Sequence, residues 1–168
     1  MPCFVKDFGI CGAVRMRGPR MSLMTGEAYA GDIPPAEAWR LLSDSGPAQL
    51  VDVRTRPEWS FVGLPELSGL GKAPLLIEWQ VYPEMAVDDA FVDRLSAALE
   101  GAGASREDPV LFLCRSGVRS RSAAIAATAA GWQRCLNVAG GFEGPLDPNG
   151  HRGQRDGWKA AGLPWKQT

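Results

Sequence analysis

The sequence predicts an α/β fold of three layers, in which helices cover both faces of a mostly parallel central sheet of about five strands. Short apolar runs of strand length, such as Leu50–Val53 and Val110–Leu113, alternate along the chain with stretches of helical apolar spacing. Parallel strands need crossover connections of this kind, because a tight turn cannot join them. In open sheets of this class, ligands bind at the carboxyl ends of the strands.

The N-terminal part of the domain is predicted to contain an extended stretch, a helix, a buried strand and a segment of loops. An extended stretch from Tyr29 leads to a helix for which Asp32 is the candidate cap, with prolines in the first turn. A buried strand is predicted over Gln49–Val53. The glycine- and proline-rich segment between Arg54 and Gly71 predicts loops, with at most a short helix near residues 57–60.

The second half of the chain repeats the alternation of strand and helix. Further strands are predicted at Leu75–Trp79, Val110–Leu113 and Cys135–Val138. Further helices are predicted at 88–101, at Ser120–Ala130 and, as a short helix or turn, at Arg155–Gly162. Because strands and helices succeed one another in this way, a largely parallel sheet is expected.

The composition favours one globular domain and excludes several functional classes. The chain has 168 residues and a net charge of −1, and 45% of its residues are hydrophobic. Neither nucleic acid nor a membrane surface is therefore an expected partner. No apolar run has the length needed to span a bilayer. We assign residues 29–168 to the domain and residues 1–28 to a flexible N-terminal leader without a catalytic role.

The four cysteines, at positions 3, 11, 114 and 135, show neither a CxxC pair nor the spacing of metal ligands. A chain with this much core does not need a disulfide framework, so we expect free thiols in the reducing cytoplasm. Cys135 is expected to be a small buried residue at the start of a strand. His151, the single histidine, is expected to be solvated.

The most informative segment is the six-residue loop Cys114–Arg119, with the sequence CRSGVR, between a predicted buried strand and a predicted helix. Backbone N–H groups at such a turn, the helix dipole and two arginines stabilise negative charge. Gly117 gives the loop a residue that adopts positive φ at little cost. These surroundings favour a thiolate, so Cys114 is the candidate nucleophile.

Together with other segments, this loop resembles the rhodanese-type sulfurtransferases. The resemblance rests on Leu50–Arg54 with Glu58-Trp59, on the cysteine loop with Ser120, on Val138–Gly144 and on the closing Gly157–Trp165. It covers roughly residues 32–165 as a single domain. In one departure, the chain has Val62–Gly69 where the family often carries a Gly-His-Ile-Pro-Gly-Ala segment, and the histidine is missing.

The resemblance implies that a persulfide on Cys114 carries a sulfane sulfur from a donor such as thiosulfate to cyanide or a thiol, without a metal or another cofactor. The donor-binding residues that it implies are Arg115, Ser116, Gly117, Val118, Arg119 and Ser120. Asp52, Arg54 and Glu58 lie either at the pocket edge or in a structural network, and for Arg54 we favour a structural role, either an ion pair with Glu58 or a link that holds the loops. The expected partners are a small anionic donor and a thiol or protein acceptor, and the chain is expected to be a monomer or homodimer.

Other functions share parts of this pattern. Protein-tyrosine-type phosphatases place five residues between the cysteine and the arginine of their loop, whereas four separate Cys114 from Arg119. An arsenate reductase needs a resolving cysteine, and Cys135 is predicted to lie in a strand. A noncatalytic rhodanese-like module, used for binding or as a sulfur carrier, is the alternative from a different class. The cysteine and both loop arginines favour catalysis over that alternative.

Overall fold

The computed structural model describes residues 29–44 and 46–167, so the expected leader, with Cys3 and Cys11, lies outside the described residues. The strands are β1 (Gly31–Ile33), β2 (Gln49–Asp52), β3 (Leu64–Pro65), β4 (Leu75–Leu76), β5 (Gln80–Val81), β6 (Ala86–Val87), β7 (Pro109–Leu113), β8 (Arg134–Val138) and β9 (Trp165–Lys166). The helices are α1 (Pro35–Ser43), α2 (Arg56–Val62), α3 (Phe91–Gly101), α4 (Val118–Ala129) and α5 (Gly157–Ala160), with a 3₁₀ turn at Ser68–Leu70. Within these described ranges, no helix has the length and apolar character to cross a membrane.

The central sheet contains five strands in the order β1-β8-β7-β2-β4, and every neighbouring pair is parallel. The predicted α/β fold is therefore confirmed. β7 lies at the middle of the sheet, and Val110–Leu113 is fully buried. Burial on both faces explains why this strand is a continuous apolar run instead of an alternation of apolar and polar residues.

Two apolar layers pack on opposite faces of the sheet because side chains alternate along each strand. Val110 and Phe112 of β7 belong to the layer that also holds Phe91 of α3 and Ala123 of α4. The layer on the other face contains Leu111, Leu113, Ala38, Leu42, Phe142 and Trp158. Cys114 continues the alternation into the first layer. The alternation therefore places its sulfur on the side of the sheet that α4 covers.

Three predicted elements differ from those observed. Asp32 is not the helix cap: it lies in β1, and Pro34 occupies the N-cap of α1. The strand predicted over Leu75–Trp79 is only two residues long, because the chain then turns into an antiparallel hairpin of β5 and β6. The short helix allowed near residues 57–60 is present as α2, and its seven residues make it longer than expected.

Arg54 forms its ion pair with Asp52 and not with Glu58, so of the two structural roles expected for it, the observed contacts fit a link that holds the loops. Both side chains of the observed pair have no exposed surface. Arg54 Nη2 lies 2.6 Å from Asp52 Oδ2 and also donates to the carbonyl of Gly63, at 2.8 Å. The guanidinium carbon lies 4.1 Å from the centre of the Phe142 ring. Arg54 therefore joins the end of β2 to the segment after α2.

We expect Arg54→Ala to lower the free energy of unfolding by about 3–5 kcal/mol, because the substitution leaves the Asp52 carboxylate buried without a partner. Arg40→Ala is the matched control, since its ion pairs with Glu37 and Asp44 are exposed; it should cost about 0.5 kcal/mol or less. Urea unfolding of the three proteins gives the comparison. Equal stability of the two variants would contradict the structural role of the buried pair.

Candidate active site

Cys114 lies at the floor of a cavity of about 730 Å³ at the carboxyl end of β7. Only 1% of its surface is exposed. The predicted binding residues Arg115, Ser116, Val118 and Arg119 line the same cavity, as does Glu58. A reacting group must therefore enter this cavity to reach the sulfur.

Two groups contact the Cys114 sulfur from the protein side. The backbone N–H of Gly117 donates to Sγ at 3.1 Å, and Ser120 Oγ lies 3.2 Å from Sγ. Gly117 is the N-cap of α4 and has a φ of 103°, so the prediction of a positive φ at this residue holds. The positive end of the α4 dipole and an N–H donor thus meet at the sulfur.

The back of the loop is held by a second backbone segment. The amide of Phe142 donates to the carbonyl of Cys114 at 2.7 Å, and the amides of Glu143 and Gly144 donate to the carbonyl of Arg115 at 2.9 and 3.2 Å. A Cβ on Gly141 would lie 2.7 Å from the Arg115 carbonyl carbon, so only glycine fits there. The Val138–Gly144 segment of the sequence pattern is therefore the support for the cysteine loop.

Asn137 is part of the site, although the sequence analysis did not find it. Its Oδ1 accepts a hydrogen bond of 2.6 Å from Ser120 Oγ. Its Nδ2 donates to Asp32 Oδ1 at 2.9 Å, and the Tyr29 hydroxyl donates to the same oxygen at 2.7 Å. Since a carboxylate only accepts hydrogen bonds, Asp32 fixes the orientation of the Asn137 amide and thereby of Ser120. A polar side chain in an otherwise apolar buried strand was the available signal.

Glu58 binds Arg119 and also caps the N-terminus of α2. Its two carboxylate oxygens accept hydrogen bonds of 2.8 and 2.7 Å from Arg119. The N–H and the hydroxyl of Thr55 both donate to Glu58 Oε2 at 2.9 Å, as in a capping box. Burial disfavours the ionised carboxylate, but the bonds from Arg119 and Thr55 outweigh this effect and lower the pKa of Glu58 to about 2.

The other residues that the sequence singled out do not line the cavity. Asp52 and Arg54 are buried beneath the site and do not line the cavity. Cys135 is fully buried in β8, and burial raises the pKa of its thiol to about 11, so it is a poor nucleophile. His151 is exposed, as expected. No cluster of three potential metal ligands occurs among residues 29–44 and 46–167.

Comparisons with known proteins agree with this architecture. Residues 34–145 match the Rhodanese-like domain family. The uncharacterized protein RP600 homolog of Rickettsia rickettsii is 36% identical over 135 residues, which cover 80% of this chain and 96% of that protein. The crystal structure of Rv0390 from M. tuberculosis has 49% identity and a TM-score of 0.74, and the match covers 83% of this chain and 99% of that one.

A more distant likeness concerns the fold alone. The polysulfide-sulfur transferase homodimer from Wolinella succinogenes has a TM-score of 0.52 at 20% identity, and the match covers 84% of this chain and 80% of that one.

We expect Gly117→Ala to lower the free energy of unfolding by about 1–3 kcal/mol through backbone strain alone. An added Cβ would meet the Gly140 nitrogen at 3.6 Å, an ordinary contact, so a steric clash does not contribute. Gly69→Ala is the matched control, because Gly69 lacks a positive φ and its Cβ would meet nothing within 4 Å. Thermal unfolding measures both variants. If Gly117→Ala proves as stable as Gly69→Ala, the loop does not depend on positive φ.

The Glu58 carboxylate predicts a pH dependence of stability. Because folding lowers the pKa of Glu58 from 4.5 to about 2, its contribution is complete above about pH 5 and is lost as the pH falls toward 2. We expect the free energy of unfolding of the wild type to fall more steeply over this range than that of Glu58→Gln. Urea unfolding at a series of pH values measures the two slopes. Parallel slopes would mean that folding does not lower the pKa of Glu58.

Proposed function

The chain belongs to the rhodanese-like domain family, and we propose that it is a sulfurtransferase that carries a sulfane sulfur as a persulfide on Cys114. The single observation that carries the proposal is the contact of the Gly117 N–H with the Cys114 sulfur at the floor of an open cavity. A donor at this position stabilises negative charge on Sγ, both in the thiolate that attacks and in the thiolate that is released when the acceptor removes the terminal sulfur.

The proposed reaction has two half-reactions. The Cys114 thiolate attacks the outer sulfur of a donor such as thiosulfate, a new S–S bond forms, and the S–S bond of the donor breaks. Sulfite leaves with the bonding electron pair. A nucleophilic acceptor, cyanide in an assay or a thiol in a cell, then attacks the terminal sulfur and restores the thiolate. The covalent intermediate predicts ping-pong kinetics.

The site residues have distinct roles in this proposal. Gly117 and Ser120 contact the reacting sulfur, and Arg115 and Arg119 lie on the cavity wall where a donor enters. No general base is required, because the N-terminus of α4, a helix of 12 residues, favours the thiolate electrostatically. The reaction starts from a free thiol, so we propose the reducing cytoplasm as the compartment. A thiol or a protein is the proposed acceptor.

The geometry favours sulfur transfer over phosphoryl or arsenate chemistry. The two terminal nitrogens of Arg119 are bound to Glu58, so they do not point at an oxyanion above Cys114. Cys135 is fully buried in the apolar layer against α4 and does not line the Cys114 cavity, so it is not placed to resolve a Cys114 intermediate. Turnover of para-nitrophenyl phosphate by the purified protein would reverse this preference.

We expect purified protein to gain the mass of one sulfur atom on Cys114 when it is incubated with sulfane-sulfur donors, thiosulfate among them, and to form thiocyanate when cyanide follows. Cys114→Ser should abolish both signals, because the nucleophile is gone. Cys135→Ala is the control, since that buried thiol lies outside the cavity; it should keep both. Intact-protein mass spectrometry and a colorimetric thiocyanate assay are the measurements.

Absence of a mass gain with every donor, from a protein whose Cys114 is still alkylated by iodoacetamide, would refute sulfur transfer. It would favour the noncatalytic binding module instead.

A further inference from the structure

A chain of hydrogen bonds runs from the Cys114 sulfur to the exposed carboxylate of Asp32. Ser120 Oγ lies 3.2 Å from Sγ and 2.6 Å from Asn137 Oδ1, and Asn137 Nδ2 lies 2.9 Å from Asp32 Oδ1. Ser120 has no exposed surface, and only 3% of the surface of Asn137 is exposed. The hydroxyl and the amide are therefore shielded from water, and they depend on each other for hydrogen-bond partners.

The carboxylate at one end fixes the direction of the bonds in this chain. Asp32 Oδ1 accepts hydrogen bonds and does not donate, so the NH₂ group of the Asn137 amide is the one that faces it. The amide oxygen consequently faces Ser120, whose hydroxyl donates to it. A serine has one hydroxyl proton, so Ser120 presents the lone pairs of its oxygen to the Cys114 sulfur.

The chain is complete when the sulfur is uncharged. A Cys114 thiol donates its S–H to Ser120 Oγ, and Ser120 donates to Asn137 Oδ1. A persulfide leaves the bond between Ser120 and Asn137 in place, because a divalent, uncharged Sγ is a weak acceptor. A thiolate instead competes with Asn137 Oδ1 for the single proton of Ser120. One of these two buried acceptors is then left without that hydrogen bond, which destabilises the thiolate state.

We propose that Asp32 and Asn137 are positioning residues that direct the hydroxyl proton of Ser120 away from the reactive sulfur. They raise the free energy of the thiolate relative to the thiol and the persulfide, and so oppose the stabilisation by the Gly117 N–H and the α4 dipole. A thiolate that is stabilised less is the stronger nucleophile. The catalytic consequence rests on the sulfur transfer proposed above: the network keeps Cys114 reactive toward a donor and favours the loaded sulfur over the free thiolate.

Charged and titratable groups around the cavity also act on the sulfur. Those that line it are Glu58, Tyr82, Arg115, Arg119, Glu143 and Arg152. The buried pair of Asp52 and Arg54 lies beneath the site. Arg121 lines, together with Asp32, a second cavity that the cysteine loop also borders. Substitution of Asn137 changes none of these charges, whereas substitution of Asp32 removes one and needs a control for its electrostatic effect.

The test follows the alkylation of Cys114 by iodoacetamide as a function of pH in the full chain. Mass spectrometry reads the tryptic peptide 107–115, which carries Cys114 and no other cysteine. Asn137→Leu removes the competing acceptor and replaces it with an apolar side chain, so the Ser120 hydroxyl turns to the thiolate. We expect the midpoint of the pH profile to fall by about one unit, the size of one hydrogen bond to a charged group.

Ser120→Ala is the matched background, because it removes the hydroxyl through which Asn137 acts on the sulfur. In this background, Asn137→Leu should move the midpoint by less than about 0.3 units. Equal shifts in the two backgrounds overturn the inference, since Asn137 would then act without Ser120. A midpoint that Asn137→Leu leaves unchanged or raises in the wild type overturns it as well.

Asp32→Ala tests the chain from its exposed end, where no buried side chain is replaced. Without the carboxylate, the Asn137 amide turns its NH₂ group toward Ser120, and the hydroxyl again turns to the sulfur. Loss of a negative charge also lowers the midpoint, but it does so with or without Ser120. We expect the fall in the wild type to exceed that in the Ser120→Ala background by at least about 0.5 units; an equal fall in both overturns the inference.

These profiles require no sulfur donor. A negative result therefore overturns the positioning role of Asp32 and Asn137 and leaves sulfur transfer intact, whereas the absence of a mass gain on Cys114 refutes the proposed function.

Discussion

The hydrogen bonds that hold the back of the cysteine loop are the constraint on which the site depends. Carbonyl groups of Cys114 and Arg115 are bound by the amides of Phe142, Glu143 and Gly144. With its carbonyls held on one side, the loop turns the N–H of Gly117 toward the sulfur on the other. The positive φ of Gly117 and the absence of a side chain at Gly141 make this conformation accessible. The N–H donor that faces the sulfur is therefore positioned by the backbone of the loop itself.

A single carboxylate, that of Glu58, connects this loop to the rest of the cavity. It accepts hydrogen bonds from Thr55 at the start of α2 and from Arg119 at the start of α4. Through these contacts, Glu58 orders the starts of α2 and α4 and also neutralises the positive charge of Arg119. The order of the two helix starts and the charge balance of the cavity are thus coupled at one residue.

The protein side and the solvent side of the Cys114 sulfur differ in polarity. The protein side of the sulfur is polar and fully buried, with Ser120 oriented by Asn137 and Asp32. The solvent side is bounded by the apolar side chains of Tyr82 and Met85. The buried polar side fixes the position of the sulfur, and the apolar rim offers contact area to a ligand that enters the cavity.

Local patterns in the sequence were sufficient for the parallel sheet and for the cysteine loop after β7, because apolar periodicity and the glycine of a strand-to-helix turn act over a few neighbouring residues. The partner of Arg54, the contact of Asn137 with Ser120 and the hairpin beside the cavity were decided by the tertiary structure. Asn137 and Ser120 lie 17 positions apart, and Glu58 and Arg119 lie 61 positions apart, so these side chains approach only after the chain has packed. Arg54 and Asp52 lie only two positions apart, and the burial of both side chains decides that they pair. Burial then selects the partner, because a buried charge must find the nearest compensating group whatever its distance along the sequence.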